Sequence, residues 1–211
     1  MHDILPKTIH ETDTSLEALK DLDDLGVDCY STRQLSDIVN IVGVLADIKP
    51  VTIIDDEFHD DASRQRLLGL VDALGMTSHE ATLLNGVKSI FISKDTQKAI
   101  LLNDLWNELF LREISDRDDV ERGIGKLLGF PETAIDFYIK RGDEYNITPA
   151  APQSGEPFHR LVLSPENTES ERAEYCVPLE DATRELLPRT YQHIAAVEEM
   201  RGRHGFVVHQ S

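Results

Sequence analysis

The sequence predicts a mostly helical α/β or α+β fold, in which one domain spans residues 1–211 and carries a small sheet of short strands. The first observation behind this prediction is that apolar residues recur at helical spacing in about seven segments. The second is that β-branched apolar runs are short and few, as at 51–54 and 89–92. The third is that 40% of the 211 residues are hydrophobic, which is typical of a chain that folds around a core.

The N-terminal quarter predicts an arm followed by two helices. Residues 1–13 predict a loose arm. A capping-box pattern at Thr14 predicts a short amphipathic helix that ends at Gly26. Ser31 and Gln34 repeat the capping box and predict a longer helix, apolar around most of its circumference.

The next segment predicts strands that alternate with helices. A buried strand over 51–54 precedes a helix that ends at Gly75, and one or two helical turns are expected near Ser78. A second strand over 89–92 leads to Asp95, which predicts the N-cap of a long helix. Strands separated by helices in this way predict a βαβ crossover with parallel strands.

Residues 116–141 predict a helical hairpin, the best-specified local structure in the chain. Gly129 supplies the residue that tolerates a positive φ where the first helix ends. Pro131 follows where a second helix begins, a position at which its missing N–H costs nothing.

The C-terminal third begins with a surface linker over 143–157, which contains three prolines. The elements predicted after it are a strand over 158–163, a second strand over 175–177 and a helix over 179–201 interrupted at Pro188.

The charge of the chain restricts its environment and its partners. Thirty-nine acidic residues face 21 basic ones, which gives a net charge of −18, and arginines outnumber lysines by 13 to 8. This balance predicts a salt-adapted protein of a halophile's cytoplasm, because carboxylates keep a surface hydrated while salt screens their repulsion. It opposes binding to nucleic acids and to anionic membranes. No apolar run approaches the ~20 residues that span a bilayer.

Sequence patterns for catalysis are absent. The chain contains no P-loop, no GxGxxG and no GxSxG, and its eight histidines have no metal-ligand spacing. Cys29 and Cys176 predict two buried thiols in a reducing compartment, and a disulfide between them stays open.

An acidic cluster follows the first predicted strand and is the candidate metal site. Asp55, Asp56 and Glu57 would lie at the carboxyl end of the strand, where oxygen ligands suit Mg²⁺. The run VTIIDDE resembles the opening of a response-regulator receiver domain, which implies a phosphoacceptor beside Mg²⁺, although the later receiver strands are not visible. The alternative is a solvated loop in which Asp60 or Asp61 caps the next helix.

The segment GKLLGFPETAIDFY of the hairpin is similar to the motif G-x-x-LGYP-x-CC-(V/I)-x-x-(F/Y) of a largely archaeal family of uncharacterised proteins, domain of unknown function 483. The matching residues are Gly125, Leu128, Gly129, Phe130, Pro131, Ile135 and Tyr138. Thr133 and Ala134 replace the adjacent cysteines of that pattern, so no metal or redox role carries over. The resemblance implies no activity.

The hairpin also has the spacing of a helix-turn-helix DNA-binding element. Its second helix would present Glu132, Thr133 and Asp136 to the groove, and acidic side chains repel phosphates. A hairpin packed in the core is therefore preferred, with Trp106 and the aromatics near it in one core cluster.

These observations predict a salt-adapted, non-enzymatic regulatory or interaction module with a protein partner and no cofactor. Two alternatives stay open, namely an Mg²⁺-dependent enzyme or phosphoacceptor that uses Asp55, Asp56 and Glu57, and a helix-turn-helix regulator.

Overall fold

The computed structural model of the chain describes residues 13–29, 31–55, 60–113, 117–141 and 164–203. Its helices are α1 (Asp13–Val27), α2 (Thr32–Leu45), α3 (Asp61–Ala73), α4 (Thr96–Leu111), α5 (Asp118–Leu127), α6 (Glu132–Arg141), α7 (Thr168–Glu171), α8 (Val177–Leu186) and α9 (Pro188–Arg203). Its strands are β1 (Val51–Asp55), β2 (Thr77–Thr82) and β3 (Lys88–Ser93), and a π-helical turn, Arg172–Cys176, joins α7 to α8. The predicted mostly helical fold with a small sheet is confirmed. Within these ranges no helix is both long and apolar enough to cross a membrane.

The predicted capping residues begin three of the helices. The Ser31 hydroxyl accepts a hydrogen bond from the backbone N–H of Gln34 at 3.1 Å, and the Gln34 side chain accepts from Ser31 N–H, which completes the capping box of α2. Asp95 caps α4 by accepting from Gln97 N–H at 2.9 Å. Asp60 caps α3 through the N–H groups of Ala62 and Ser63, as the solvated-loop alternative predicts.

The sheet has the order β1-β3-β2 and is antiparallel throughout, so the predicted parallel crossover is wrong. The crossover was predicted because helical turns were expected near Ser78, but this segment forms the strand β2. This strand reads TSHEAT, and its residues alternate between half-buried and exposed, which leaves it without an apolar run. Its place at the edge of the sheet, paired with β3, makes it a strand.

The sheet separates two hydrophobic cores. Ile54 and Ile92 face the larger core, which helices α1, α2, α3, α8 and α9 complete. Phe91 faces the smaller core with Leu102 of α4 and Ile124 of α5. The central strand β3 is therefore covered on both faces, and two layers of helices enclose the sheet.

The C-terminal helices hold the larger core together. The strand predicted over 175–177 is wrong, because Tyr175 and Cys176 lie in the π-helical turn that continues into α8. The helical break at Pro188 is confirmed, since α9 begins there. Both cysteines are buried, free thiols.

The sequence predicted that the first helix ends at Gly26, but Gly26 lies within α1, which continues to Val27. The close contact between α1 and α9 explains why a glycine is found there. A Cβ at Gly26 would lie 2.2 Å from Thr190 Oγ1, so only glycine admits α9 this closely. The buried carboxylate of Asp23 accepts from the N–H groups of Arg189 and Thr190 at 3.1 and 2.7 Å. Asp23 thereby satisfies the first turn of α9 from a distant part of the chain.

Three other predictions lie outside the described residues. They are the arm over 1–13 apart from its last residue, the linker over 143–157 and the strand over 158–163.

Candidate ligand-binding site

A cavity of about 610 Å³ lies where α2, β1, α4, α5, α6 and the π-helical turn meet. Most of its polar residues come from α2 and the chain that follows it, namely Ser36, Asp37, Asn40, Lys49 and Thr52, while Asn85 and Glu121 line it from other parts of the chain. The rest of its wall is largely apolar and aromatic. A pocket with an apolar body and a few polar groups at one place has the composition of a small-molecule site.

Strand β1 forms part of this wall. Thr52 and Ile53 both line the cavity, although successive residues of a strand point to opposite faces. Among the described residues β1 pairs with β3 alone, so its other edge has no strand partner there. Backbone hydrogen-bonding groups are available along such an edge.

Lys49 is the unusual polar residue of the site, because its side chain is buried and only 4% exposed. The backbone N–H groups of Ile48 and Lys49 both donate to the carbonyl of Gly43, which folds the chain back onto α2. The aliphatic stem then lies against Gly43, where a Cβ would be 2.7 Å from Lys49 Cδ. Glycine in the middle of an apolar helix is unfavourable for the helix, but here it makes the space for the lysine.

The amine of Lys49 has a defined set of neighbours. Nζ donates to Asn40 Oδ1 at 2.6 Å and lies 5.9 Å from the ring centroids of both Phe130 and Tyr175. These two rings meet edge to face with centroids 5.5 Å apart. Among the described residues, the amine therefore has Asn40 as its hydrogen-bond acceptor, the two aromatic rings beside it and the carboxylate of Asp37 near enough to affect its charge.

Burial lowers the pKa of Lys49 to about 7, because removing an ammonium from water disfavours its charged form. The carboxylate of Asp37 acts in the opposite direction and raises it. Burial also raises the pKa of Tyr175, so the phenol stays neutral. Lys49 is accordingly divided between amine and ammonium near neutral pH, and the neutral amine is a nucleophile and a base.

The hairpin motif packs directly on this lysine. Gly129 has φ of 78°, and a Cβ there would lie 2.6 Å from the carbonyl oxygen of Ile48 and 3.1 Å from Lys49 Cα. Gly125 likewise admits the side chain of Ile135, since a Cβ at Gly125 would lie 2.7 Å from it. The two glycines let the corner between α5 and α6 close over Lys49, and the predicted positive φ at Gly129 is confirmed.

Most residues of the motif line the cavity, namely Gly125, Leu128, Phe130, Ile135 and Tyr138. Pro131 is buried beside them. The aromatic core cluster expected around Trp106 is wrong in part, because Trp106, Phe110 and Tyr138 line the cavity and the last two are 42% and 46% exposed. Phe110 and Tyr138 are thus partly exposed to solvent, whereas Trp106 packs against the smaller core.

Comparisons of this chain with protein-family models, with curated proteins and with solved structures find no match. The resemblance to domain of unknown function 483 stays a prediction.

The predicted metal site is only partly within the described residues. Asp55 ends β1, where it pairs with Ser89, and its side chain is not described. Asp56 and Glu57 lie outside the described residues. Elsewhere in the described ranges no three His, Cys, Asp or Glu side chains are grouped so that they could hold a metal ion. The Mg²⁺ site stays a prediction.

The acidic start of α6 is tied to α5 by one arginine. Arg122 forms ion pairs with Glu132 and with Asp136, and it holds the pKa of Asp136 below its usual range. Glu132 and Thr133 are exposed at the beginning of α6. The helix-turn-helix alternative stays a prediction, and the negative charge at this end of α6 opposes it.

Sequence reasoning missed Lys49, which was interpreted only as part of the Lys-Pro break after α2. A signal was present, because Lys49 is the only lysine or arginine between residues 34 and 63, and Gly43 interrupts the apolar helix six residues earlier. A glycine at such a position is a sign that another group packs closely there.

Proposed function

We propose that this protein is a regulatory binding module, and that its cavity holds a small, neutral, mostly apolar molecule whose polar group contacts Lys49. The observation that carries the proposal is a buried amine in a cavity whose wall is largely apolar and aromatic, with a few polar groups near that amine. The volume of about 610 Å³ lies within the range of roughly 300–1,000 Å³ that is usual for small-molecule sites.

The charges around the cavity favour a neutral ligand. Asp37 and Glu121 line the wall together with Lys49, so two acids accompany one amine. The whole chain carries a net charge of −18, which repels anions before they reach the site. A carbonyl or hydroxyl group accepts from Lys49 without that repulsion.

The apolar wall determines the rest of the ligand. Trp106, Leu109 and Ile135 come from two different helices, α4 and α6, and face the same space. An aromatic or branched aliphatic body would contact all three and bury most of its surface. Such a ligand would also bridge α4 and α6, which gives binding a means of changing how the hairpin packs.

The regulatory role and the setting are part of the proposal. A module without catalytic chemistry acts through another molecule, so we infer a protein partner that responds to the state of the α5–α6 hairpin. The acidic, lysine-poor composition supports a salt-rich archaeal cytoplasm as its environment.

Binding of 3-phenylpropanol, a neutral molecule with an aromatic body and one hydroxyl, tests the proposal. Trp106 is the single tryptophan of the chain and lines the cavity, so its fluorescence reports occupancy. We expect a saturable change in emission together with a rise in Tm, because a ligand that binds only the folded state stabilises it.

Two variants that reduce the cavity volume and one control complete this test. Ala134→Leu and Leu109→Phe each add volume to the wall without a second tryptophan, and each should abolish the saturable response while the far-UV spectrum stays native. Leu111→Ala alters a side chain that is 76% exposed and does not line the cavity, so it should bind as the parent does. A response of equal size in the folded volume-reducing variants would overturn the proposal.

A further inference from the structure

The cavity contains a reactive group, the Lys49 amine, as well as a binding surface. We infer that Lys49 holds its ligand covalently, as a reversible imine with the carbonyl carbon of a neutral aldehyde or ketone whose apolar body fills the cavity. This inference rests on the proposed ligand-binding function and names the class of ligand.

The geometry supports attack by the nitrogen. The Lys49 stem is fixed between Gly43 and the hairpin corner, so Nζ has little freedom of position. One N–H points to Asn40 Oδ1 at 2.6 Å, and the rings of Phe130 and Tyr175 border the nitrogen. A carbonyl compound in the cavity therefore meets a nucleophile that is already positioned, and such positioning accelerates bond formation.

The protonation state of the nitrogen is suited to this reaction. An ordinary lysine, with a pKa near 10.4, is almost entirely protonated at neutral pH. Burial brings the pKa of Lys49 to about 7, so a large fraction carries a free electron pair. The titratable groups that line the cavity with it are Asp37 on α2, Glu121 on α5, Tyr138 on α6 and Tyr175 in the π-helical turn, while β1 and α4 contribute none.

The reaction balances without an oxidant or a reductant. The Nζ electron pair forms the C–N bond, the carbonyl π pair moves to oxygen, and a proton passes from nitrogen to that oxygen. The C–O bond then breaks, the hydroxyl leaves as water with a second proton from nitrogen, and the C=N bond forms. Asp37 lines the same cavity and is the group that carries these protons.

The apolar surroundings also preserve the product. Hydrolysis of an imine requires water at the carbon, and an aromatic and aliphatic wall excludes water once the ligand is in place. The rings of Phe130 and Tyr175 border the nitrogen, so the C=N bond is enclosed. Capture is reversible, because water that reaches the carbon hydrolyses the imine and returns the amine and the carbonyl compound, which suits a module that senses its ligand.

Reductive trapping tests the inference with the intact chain. The protein is incubated with 3-phenylpropanal and sodium cyanoborohydride, and the modified lysines are located by peptide mapping. We expect Lys49 to be labelled about tenfold or more faster than any other lysine, because its free-amine fraction at neutral pH is far larger. The labelling rate should rise with pH and reach half its maximum near pH 7.

Variants separate this chemistry from general lysine reactivity. Lys49→Arg should lose the fast label, and Lys98→Arg, which alters an exposed lysine of α4, should retain it. Asp37→Asn should move the midpoint of the pH profile downward, because the Asp37 carboxylate raises the pKa of Lys49. If the Lys49→Arg chain fails to fold, the pH profile and the position of the label in the wild-type protein still test the inference.

The outcomes distinguish the two proposals. If 3-phenylpropanol binds in the cavity but the aldehyde labels Lys49 no faster than the exposed lysines, the imine is overturned and the binding function stands. If neither the alcohol nor the aldehyde shows saturable binding, both are overturned. A fast label on Lys49 that 3-phenylpropanol suppresses in competition supports both.

Discussion

The chemistry of the candidate site depends on one residue, Lys49, whose amine is buried. Its charge is exposed to water in the unfolded chain and buried in the folded one, where Asn40 accepts one hydrogen bond and Asp37 compensates part of the charge. Burial of an ammonium costs stability whenever the group is protonated, and a cost of this kind is often found at functional sites.

At the residue scale, we expect the free energy of unfolding to rise between pH 7 and pH 9. The pKa of Lys49 falls from 10.5 in the unfolded chain to about 7 in the native one, so in this window the unfolded state binds more protons. The destabilisation is complete below pH 7 and disappears as the pH rises toward 10.5. The expected gain by pH 9 is on the order of 2 kcal/mol.

Urea denaturation at pH 7, 8 and 9 measures this change. The Lys49→Met variant should be more stable than the parent at pH 7 and show a flat profile, whereas Lys98→Met should keep the parental slope. Above pH 9 burial of Cys29 opposes this rise, because its pKa is raised to about 12. The thiol of the unfolded chain then ionises first, and the free energy of unfolding falls as the pH increases further. A parental profile that falls from pH 7 to pH 9 would contradict a buried ammonium.

At the scale of elements, the corner between α5 and α6 determines how closely the hairpin approaches α2. Gly129 takes a positive φ and also lies against the backbone of Ile48 and Lys49. The Phe130 N–H donates to the carbonyl of Gly125 at 3.0 Å, which closes α5. Arg122 then bridges to the first turns of α6. These contacts connect the corner between α5 and α6 to the cavity around Lys49.

We expect Gly129→Ala to destabilise the fold by roughly 2–4 kcal/mol, since the new Cβ combines backbone strain with a collision against a carbonyl that cannot move freely. Gly75→Ala separates the two causes, because Gly75 has φ of 73° and no atom lies within 4 Å of the place that a Cβ would occupy. It should cost about 1 kcal/mol.

Gly69→Ala, inside α3 with open space around it, should be neutral or stabilise by up to about 1 kcal/mol. Chemical denaturation ranks the three variants. Equal losses of unfolding free energy in Gly129→Ala and Gly75→Ala would show that the corner between α5 and α6 does not pack tightly against Lys49. Gly129→Ala should also weaken binding of 3-phenylpropanol, and the other two should leave it unchanged.

At the scale of the whole molecule, the main feature is the net negative charge and its effect on the folded state. A net charge of −18 on 211 residues means that the folded state concentrates repulsion that the unfolded chain spreads over a larger volume. The exposed ion pairs, such as Lys94 with Asp47 and Arg184 with Glu180, offset little of it, because surface pairs contribute on the order of 0–1 kcal/mol each.

We therefore expect Tm to rise as KCl is increased from about 0.1 M to about 1 M, over which the Debye length falls from about 10 to 3 Å. Calorimetry measures the change, and sucrose at matched osmolality is the control because it does not screen charge. A Tm that stays constant in KCl, or that rises equally in sucrose, would contradict the proposed salt adaptation.

The limits of sequence reasoning follow from the range of the forces involved. Ser31, Asp60 and Asp95 act on N–H groups two or three residues away, so their caps were predictable. The strand β2 has no such local signal, because pairing with β3 determines it. The hairpin motif was found, but the cavity that it closes is lined by residues from Ser36 to Tyr175, which are far apart in the chain.

The sequence by itself determined most of the helices, the caps at Ser31, Asp60 and Asp95, the corner at Gly129 and the acidity of the chain, because each depends on neighbouring residues or on composition alone. Only the tertiary structure decided that Lys49 is buried, that its amine lies beside Phe130 and Tyr175, and that the sheet is antiparallel. Desolvation of a charge depends on every segment that excludes water from it, and those segments are brought together only by folding.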